Sequence, residues 1–186
     1  MPSRARAVFF PSCLVLALVA GCGGSDSKSG ASGGSASACD ATAPAAGAAN
    51  LTVCFSGPLT GTATQFDPDS ECSPEIKAGD IFDVTYKSSL NGVPTLIEMS
   101  ADKGPGTAKV DSRTGTATLA ISQTTVQRNW SSVVAGATGT VTVNPDRSGS
   151  VNATVPERGY TTGVEVPGAP PLTVKGTFRC PPSSSS

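Results

Sequence analysis

The feature that most restricts the fold of this chain is a two-residue alternation of apolar and polar side chains in short segments. Successive side chains of a β-strand point to opposite faces, so such a segment buries one face and exposes the other. The segments are rich in Val, Thr, Ile and Phe, which favour strands. They cover residues 51–56, 59–66, 81–89, 95–101, 116–122, 140–144, 149–155 and 172–180.

Turn-forming residues between neighbouring segments indicate antiparallel pairing. Gly57-Pro58 separates the first two segments, Asn91-Gly92 the next two, and residues 144–149 join the sixth and seventh. The sequence therefore predicts an all-β fold, either an antiparallel β-sandwich or a small barrel, with about eight strands. The expected core consists of Phe55, Phe82, Val84, Tyr86, Ile97, Met99, Leu119, Ile121, Val141, Val143, Val151, Val155, Val174 and Phe178.

Two longer connections, residues 123–139 and 156–171, fit this scheme poorly. The first contains Trp130 and is compatible with a strand, a short helix or a covering loop, whereas the second is rich in Pro and Gly. Ordered connections of this length are often functional. Trp130, Arg158 and Tyr160 are therefore candidates for a binding surface. In the alternative interpretation, Trp130 caps one end of the sandwich and Tyr160 packs beneath its loop.

The first 21 residues have the three parts of an export signal. Arg4 and Arg6 form the positive region, residues 8–20 form the apolar stretch, and small residues precede the expected cleavage site. The apolar stretch is shorter than the roughly 20 residues that a membrane-spanning helix needs. We therefore expect residues 1–21 to be a cleaved signal peptide.

The five residues 18–22, Leu-Val-Ala-Gly-Cys, look like a bacterial lipobox. In such a motif the cysteine receives a diacylglyceryl group and becomes the mature N-terminus. Two acyl chains hold a protein firmly on a bilayer, whereas one holds it only marginally. The sequence thus predicts lipidation at Cys22 and a location on the extracytoplasmic face of the cell membrane. An ordinary cleavage site followed by an incidental cysteine is the alternative.

The remainder of the chain divides into three parts. Residues 22–38 are dominated by Gly and Ser, which indicates a flexible linker after the lipidated cysteine. Residues 39–182 are long enough for one domain with a substantial core. Residues 183–186 form a serine tail that we expect to be disordered.

Four cysteines remain once the signal and Cys22 are set aside, and in an exported domain they indicate two disulfides. Cys54 lies on the polar face of its segment, within reach of Cys39. Cys180 lies on the same face of its segment as the apolar side chains and therefore points inward, where Cys72 is the expected partner. We predict the pairs Cys39–Cys54 and Cys72–Cys180. A zinc site is disfavoured because the chain has no Cys-x-x-Cys pair and no histidine.

Composition excludes several functions. The absence of histidine removes Ser-His-Asp and Cys-His catalysis, so we expect no enzyme activity and no cofactor. Excluding Arg4 and Arg6, the chain has 11 basic and 14 acidic residues. This balance offers no basic surface for nucleic acid. A cluster of three carboxylates, Asp67, Asp69 and Glu71, suits a hard cation in principle, but Pro68 interrupts it and we expect a solvated turn without metal.

The order of these parts resembles small actinobacterial surface lipoproteins, including the mycobacterial lipoprotein antigens. The resemblance is specific over residues 1–38 and architectural beyond, where the domain ends in a strand closed by Cys180. It implies a location in the cell envelope and contact with envelope or host molecules. We expect a binding module anchored by the diacylglyceryl group, whose partner is an unknown protein or small ligand. The alternatives are a lipid or small-molecule carrier with an apolar pocket and, less favoured, a hydrolase that uses carboxylates.

The lipid anchor is tested by the Cys22→Ala variant. We expect it to be released from membranes or to remain an unprocessed precursor, because no thioether can form. Fractionation of membranes and detergent-phase partitioning measure both results. A processed variant that still enters the detergent phase would contradict the prediction.

Overall fold

The computed structural model describes residues 39, 50–64, 70–73 and 76–181. The predictions for residues 1–38, including the lipidation of Cys22, therefore lie outside the described residues. So do Asp67, Asp69 and the serine tail 183–186.

The described residues contain twelve strands and one 3-10 turn, Thr124–Val126. Each of the eight predicted segments contains a strand, and the other four strands are only two to four residues long. The strands are β1 Asn50–Ser56, β2 Gly61–Ala63, β3 Glu71–Cys72, β4 Phe82–Leu90, β5 Val93–Ala101, β6 Gly106–Lys109, β7 Ala117–Gln123, β8 Arg128–Ser131, β9 Thr138–Val143, β10 Ser148–Val155, β11 Glu157–Arg158 and β12 Leu172–Arg179.

The strands form two antiparallel sheets of six. The first sheet has the order β2-β1-β12-β10-β9-β6, and the second has the order β11-β8-β7-β5-β4-β3. Neither sheet closes on itself, so the prediction of an all-β antiparallel sandwich is confirmed, with twelve strands instead of about eight. Among the residues that the structure describes, no helix is long and apolar enough to cross a membrane.

The core lies between the inner faces of the two sheets. Burial alternates along the strands as the sequence predicted, and all fourteen expected core residues belong to one buried cluster. At its centre the ring of Phe178 from the first sheet stacks on Phe82 of the second, with ring centroids 5.7 Å apart, and lies 6.3 Å from the ring of Tyr86. Each such side chain contributes roughly 1.5–3 kcal/mol when fully buried.

The outer face of the first sheet carries a rank of hydroxyl side chains that crosses five strands. The register places Thr52 beside Thr177, and then Ser150, Thr142 and Thr107 in succession. The hydroxyl oxygens of Thr107 and Thr142 are 3.0 Å apart, within hydrogen-bond distance. Threonine suits this face because its branched carbon favours the strand while its hydroxyl remains polar.

Both predicted disulfides are confirmed. Cys54 lies on the outer side of β1, where it binds Cys39, whereas Cys180 is buried and binds Cys72 of β3. Because β3 belongs to the second sheet and Cys180 follows β12 of the first, the second bond joins the two sheets.

Arg147 reinforces this joint from the turn between β9 and β10. Its backbone has φ 61°, and its side chain donates from Nη1 to the carbonyl oxygen of Ser73 and from Nη2 to that of Pro181, at 3.3 and 2.5 Å. Its own carbonyl oxygen accepts a hydrogen bond from the backbone N–H of Cys180 at 3.1 Å. One turn of the first sheet thus holds both neighbours of the disulfide between the sheets.

The two disulfides differ in the length of chain that they enclose, 15 residues against 108. In the chain-entropy model the shorter bond contributes about 3 kcal/mol to the free energy of unfolding and the longer one nearly 5. We therefore expect the Cys72→Ala/Cys180→Ala variant to lose more stability than the Cys39→Ala/Cys54→Ala variant. Urea unfolding at 25 °C measures the difference, and a larger loss of stability in the Cys39→Ala/Cys54→Ala variant would contradict the prediction.

Acid sensitivity is expected at Asp146, in the same turn as Arg147. The hydroxyl of Ser148, its backbone N–H and Arg179 lower the pKa of the Asp146 carboxyl, although partial burial opposes them. A lowered pKa in the folded state stabilises the protein above the unfolded value of about 3.9, and this contribution is lost as the pH falls through the folded value. Wild type should therefore exceed Asp146→Asn in urea midpoint at pH 6 and lose that advantage near pH 2. An equal gap at both pH values would contradict the prediction.

Candidate functional site

A depression of about 440 Å³ crosses the outer face of the second sheet from β4 to β11. We call it the outer groove. Its floor is low because the middle strand, β7, contributes the small side chains Thr118 and Ala120, while longer side chains flank them. Its volume falls within the roughly 300–1,000 Å³ of small-ligand clefts. The flanking side chains are Asp83, Glu98 and Arg158.

One end of the outer groove is cationic. Arg158 is the backbone partner of Asn129 at the edge of the sheet, and its Nε donates to the carbonyl oxygen of Gly163 at 2.7 Å. Gly163 has φ +72°, and a Cβ at that position would lie 3.0 Å from Nη2 of Arg158, so glycine permits this close approach. Within the described ranges, Nη1 and Nη2 have no hydrogen-bond acceptor, and no ion pair joins Arg158 to Glu165, its bridge partner.

The other end of the outer groove is anionic. The register places Glu71, Thr85 and Glu98 in one rank across β3, β4 and β5. Asp83 lies two residues before Thr85 on the same face of β4. All three carboxylates are exposed, and none forms an ion pair with a residue that the structure describes. The outer groove therefore has unpaired charges of opposite sign at its two ends.

Trp130 does not line this groove. Its side chain is fully buried in the core, where the Arg128 guanidinium lies 4.4 Å from the ring centroid. Arg128 also donates to both carboxylate oxygens of Glu157, at 3.2 and 2.9 Å, and to the carbonyl oxygen of Pro58, in the turn between β1 and β2 of the first sheet, at 3.3 Å. This arrangement closes the sandwich at the end opposite Arg147.

The structure separates the three residues that the sequence grouped as a binding surface. Glu157 is the backbone partner of Trp130, and Arg158 is the next residue along β11, so Trp130 and Arg158 lie on opposite faces of the sheet. The side chain of Tyr160 lies in the following loop and is 43% exposed. Of the three candidates, Arg158 lines the outer groove and Trp130 belongs to the core.

Sequence reasoning missed the other groove residues, above all Asp83, Glu98, Thr118 and Ala120. Each lies at a polar position of a predicted strand, which was the only signal available. Their shared position depends on the order β4-β5-β7-β8 within the sheet, and this order follows from pairing between distant segments.

The alternatives to a binding module have different requirements. A carrier requires a cavity between the sheets, but the expected core residues pack there in one cluster and the outer groove lies on the other side of the second sheet. A hydrolase requires two acidic side chains in one cleft, and Asp83 and Glu98 do share the outer groove. Both are exposed, however, whereas a carboxyl group that acts as a general acid is held in a water-poor pocket. No group of three metal-binding side chains occurs among the described residues.

No known protein family matches the chain, and no curated protein or solved structure matches it.

Proposed function

We propose that this chain is a membrane-anchored lipoprotein of the cell envelope whose β-sandwich acts as a binding module through the outer groove. The two disulfides support an oxidising, extracytoplasmic location, because such bonds persist in exported proteins. The anchor at Cys22 comes from the sequence motif, and the binding surface comes from the groove.

The observation that carries the proposal is the placement of Cys39 relative to the outer groove. Cys39 is the point where the linker reaches the sandwich, and its bond to Cys54 lies on the outer side of the first sheet. The outer groove lies on the outer face of the second sheet. The sequence predicts that residues 22–38 are a flexible linker, and a flexible chain of this length has an end-to-end distance of about 22 Å. The anchored sandwich can therefore present the groove away from the bilayer.

The charges of the groove support binding. Unpaired charges on the surface of a folded protein contribute little to its stability. Glu71, Asp83 and Glu98 are such charges, because the register places each of them beside neutral residues, so their common position adds little to the stability of the fold. A partner that carries complementary charge supplies the missing interaction.

Site-specific crosslinking in whole cells tests this function. A photoreactive residue at position 118, in the outer groove, should give a crosslinked product in the membrane-bound protein. The same residue at position 152, where exposed Asn152 lies on the outer face of the first sheet, serves as the control and should not give that product. The Ala120→Trp variant fills the floor of the groove and should abolish the product at position 118. No product at position 118, or the same product at both positions, would contradict the proposal.

A further inference from the structure

We infer that the outer groove binds short peptides with free amino and carboxyl ends and small side chains. This inference rests on the proposed function, because it names the ligand class of the same groove. The ammonium end of the peptide lies against Asp83 and Glu98, and its carboxylate lies against Arg158.

The first argument is the chemistry of the two ends. Arg158 has a fixed guanidinium, held through Nε by Gly163, and its two Nη atoms are the pair that forms bidentate contacts with a carboxylate. Asp83 and Glu98 are acceptors only, and an ammonium group supplies three donors. A ligand with one charge of each sign therefore satisfies both ends, whereas a ligand of one sign meets repulsion at one of them.

The second argument is the distance between the ends. Glu98 is on β5 and Arg158 is on β11, three strand spacings apart in the order β5-β7-β8-β11. At about 4.8 Å per spacing the strands are roughly 14 Å apart, and the register aligns Arg158 with Leu96, two residues before Glu98, so the two backbones are roughly 16 Å apart. An extended chain covers about 3.5 Å per residue, so a free amino acid is too short and a peptide of about four residues spans this distance.

The third argument is the floor between the ends. It offers the hydroxyl groups of Thr85, Ser100 and Thr118, none of which makes a side-chain hydrogen bond to a described residue. Hydroxyls that donate and accept suit the amide groups of an extended peptide. The middle strand contributes only the small side chains Thr118 and Ala120 to the floor, and exposed Val133, which lines the groove with Arg158, offers an apolar contact. These features favour a peptide of alanine-sized residues.

Isothermal titration calorimetry with tetra-alanine tests the inference on the full-length mature protein in detergent micelles. We expect saturable binding by the peptide with both ends free. The N-acetylated peptide and the C-terminal amide should each bind roughly tenfold more weakly, because each loses one charged contact. Equal binding by the blocked peptides would overturn the inference.

Substitutions of the charged groove residues test where the two ends of the peptide bind. Arg158→Gln should weaken tetra-alanine roughly tenfold but bind the C-terminal amide as wild type does, since the contact with the carboxylate is already missing. Glu98→Gln should show the same pattern with the N-acetylated peptide. Arg113→Gln, in the turn before β7, and Asp102→Asn, after β5, remove exposed charges outside the groove and should leave affinity unchanged.

The outcomes separate this inference from the proposed function. If tetra-alanine does not bind while position 118 still gives its crosslinked product, the ligand class is wrong and the binding surface stands. If neither occurs, both are wrong.

Because Arg158 also holds its loop through Gly163, the urea midpoint of Arg158→Gln is compared with that of wild type. If Arg158→Gln weakens binding of the C-terminal amide as much as it weakens binding of tetra-alanine, the carboxylate contact is wrong.

Discussion

The contact between the two inner faces is the interaction on which the rest of this structure depends. Phe178 of the first sheet packs against Phe82 and Tyr86 of the second, and apolar side chains of the long strands extend this contact over one buried cluster. A sheet with one apolar face is unstable alone in water, so each sheet needs the other. Since side chains alternate along a strand, burying one face of each sheet also decides which residues face outward. The hydroxyl rank of the first sheet and the outer groove of the second are both consequences of this burial.

Two small polar clusters close the ends of the sandwich, where the apolar contact stops. At one end the Cys72–Cys180 bond and the side chain of Arg147 connect strands of different sheets. At the other end Arg128 reaches from β8 to the carbonyl oxygen of Pro58, while Glu157 and the ring of Trp130 hold its guanidinium. A guanidinium suits this position because it stacks on an aromatic face and donates in several directions at once. Backbone carbonyls that would otherwise lack a partner at the sandwich ends thereby gain one.

The sandwich has two chemically different outer faces. The first sheet presents hydroxyl groups and carries the Cys39–Cys54 bond, while the second presents a groove with unpaired charges at its ends. In the described part of the chain, the ion pairs that support the fold, Arg128 with Glu157 and Arg179 with Asp146, lie away from that groove. The separation between charges that stabilise the fold and charges that remain available is the physical basis for the proposal that the second sheet binds a partner.

The long strands, their buried faces and the pairing of the four cysteines were predictable from the sequence. These properties depend on the two-residue period within one segment, which is local and therefore visible without the fold: Cys54 is outward and Cys180 inward by parity alone. The short strands β3, β6, β8 and β11 were not predictable, because two to four residues are too few to show a period, and they form only where the folded chain brings a partner strand beside them. Only the tertiary structure places Trp130 and Arg158 on opposite faces and Glu98 and Arg158 in one groove. Both outcomes follow from strand order and register between distant segments, which no local pattern encodes.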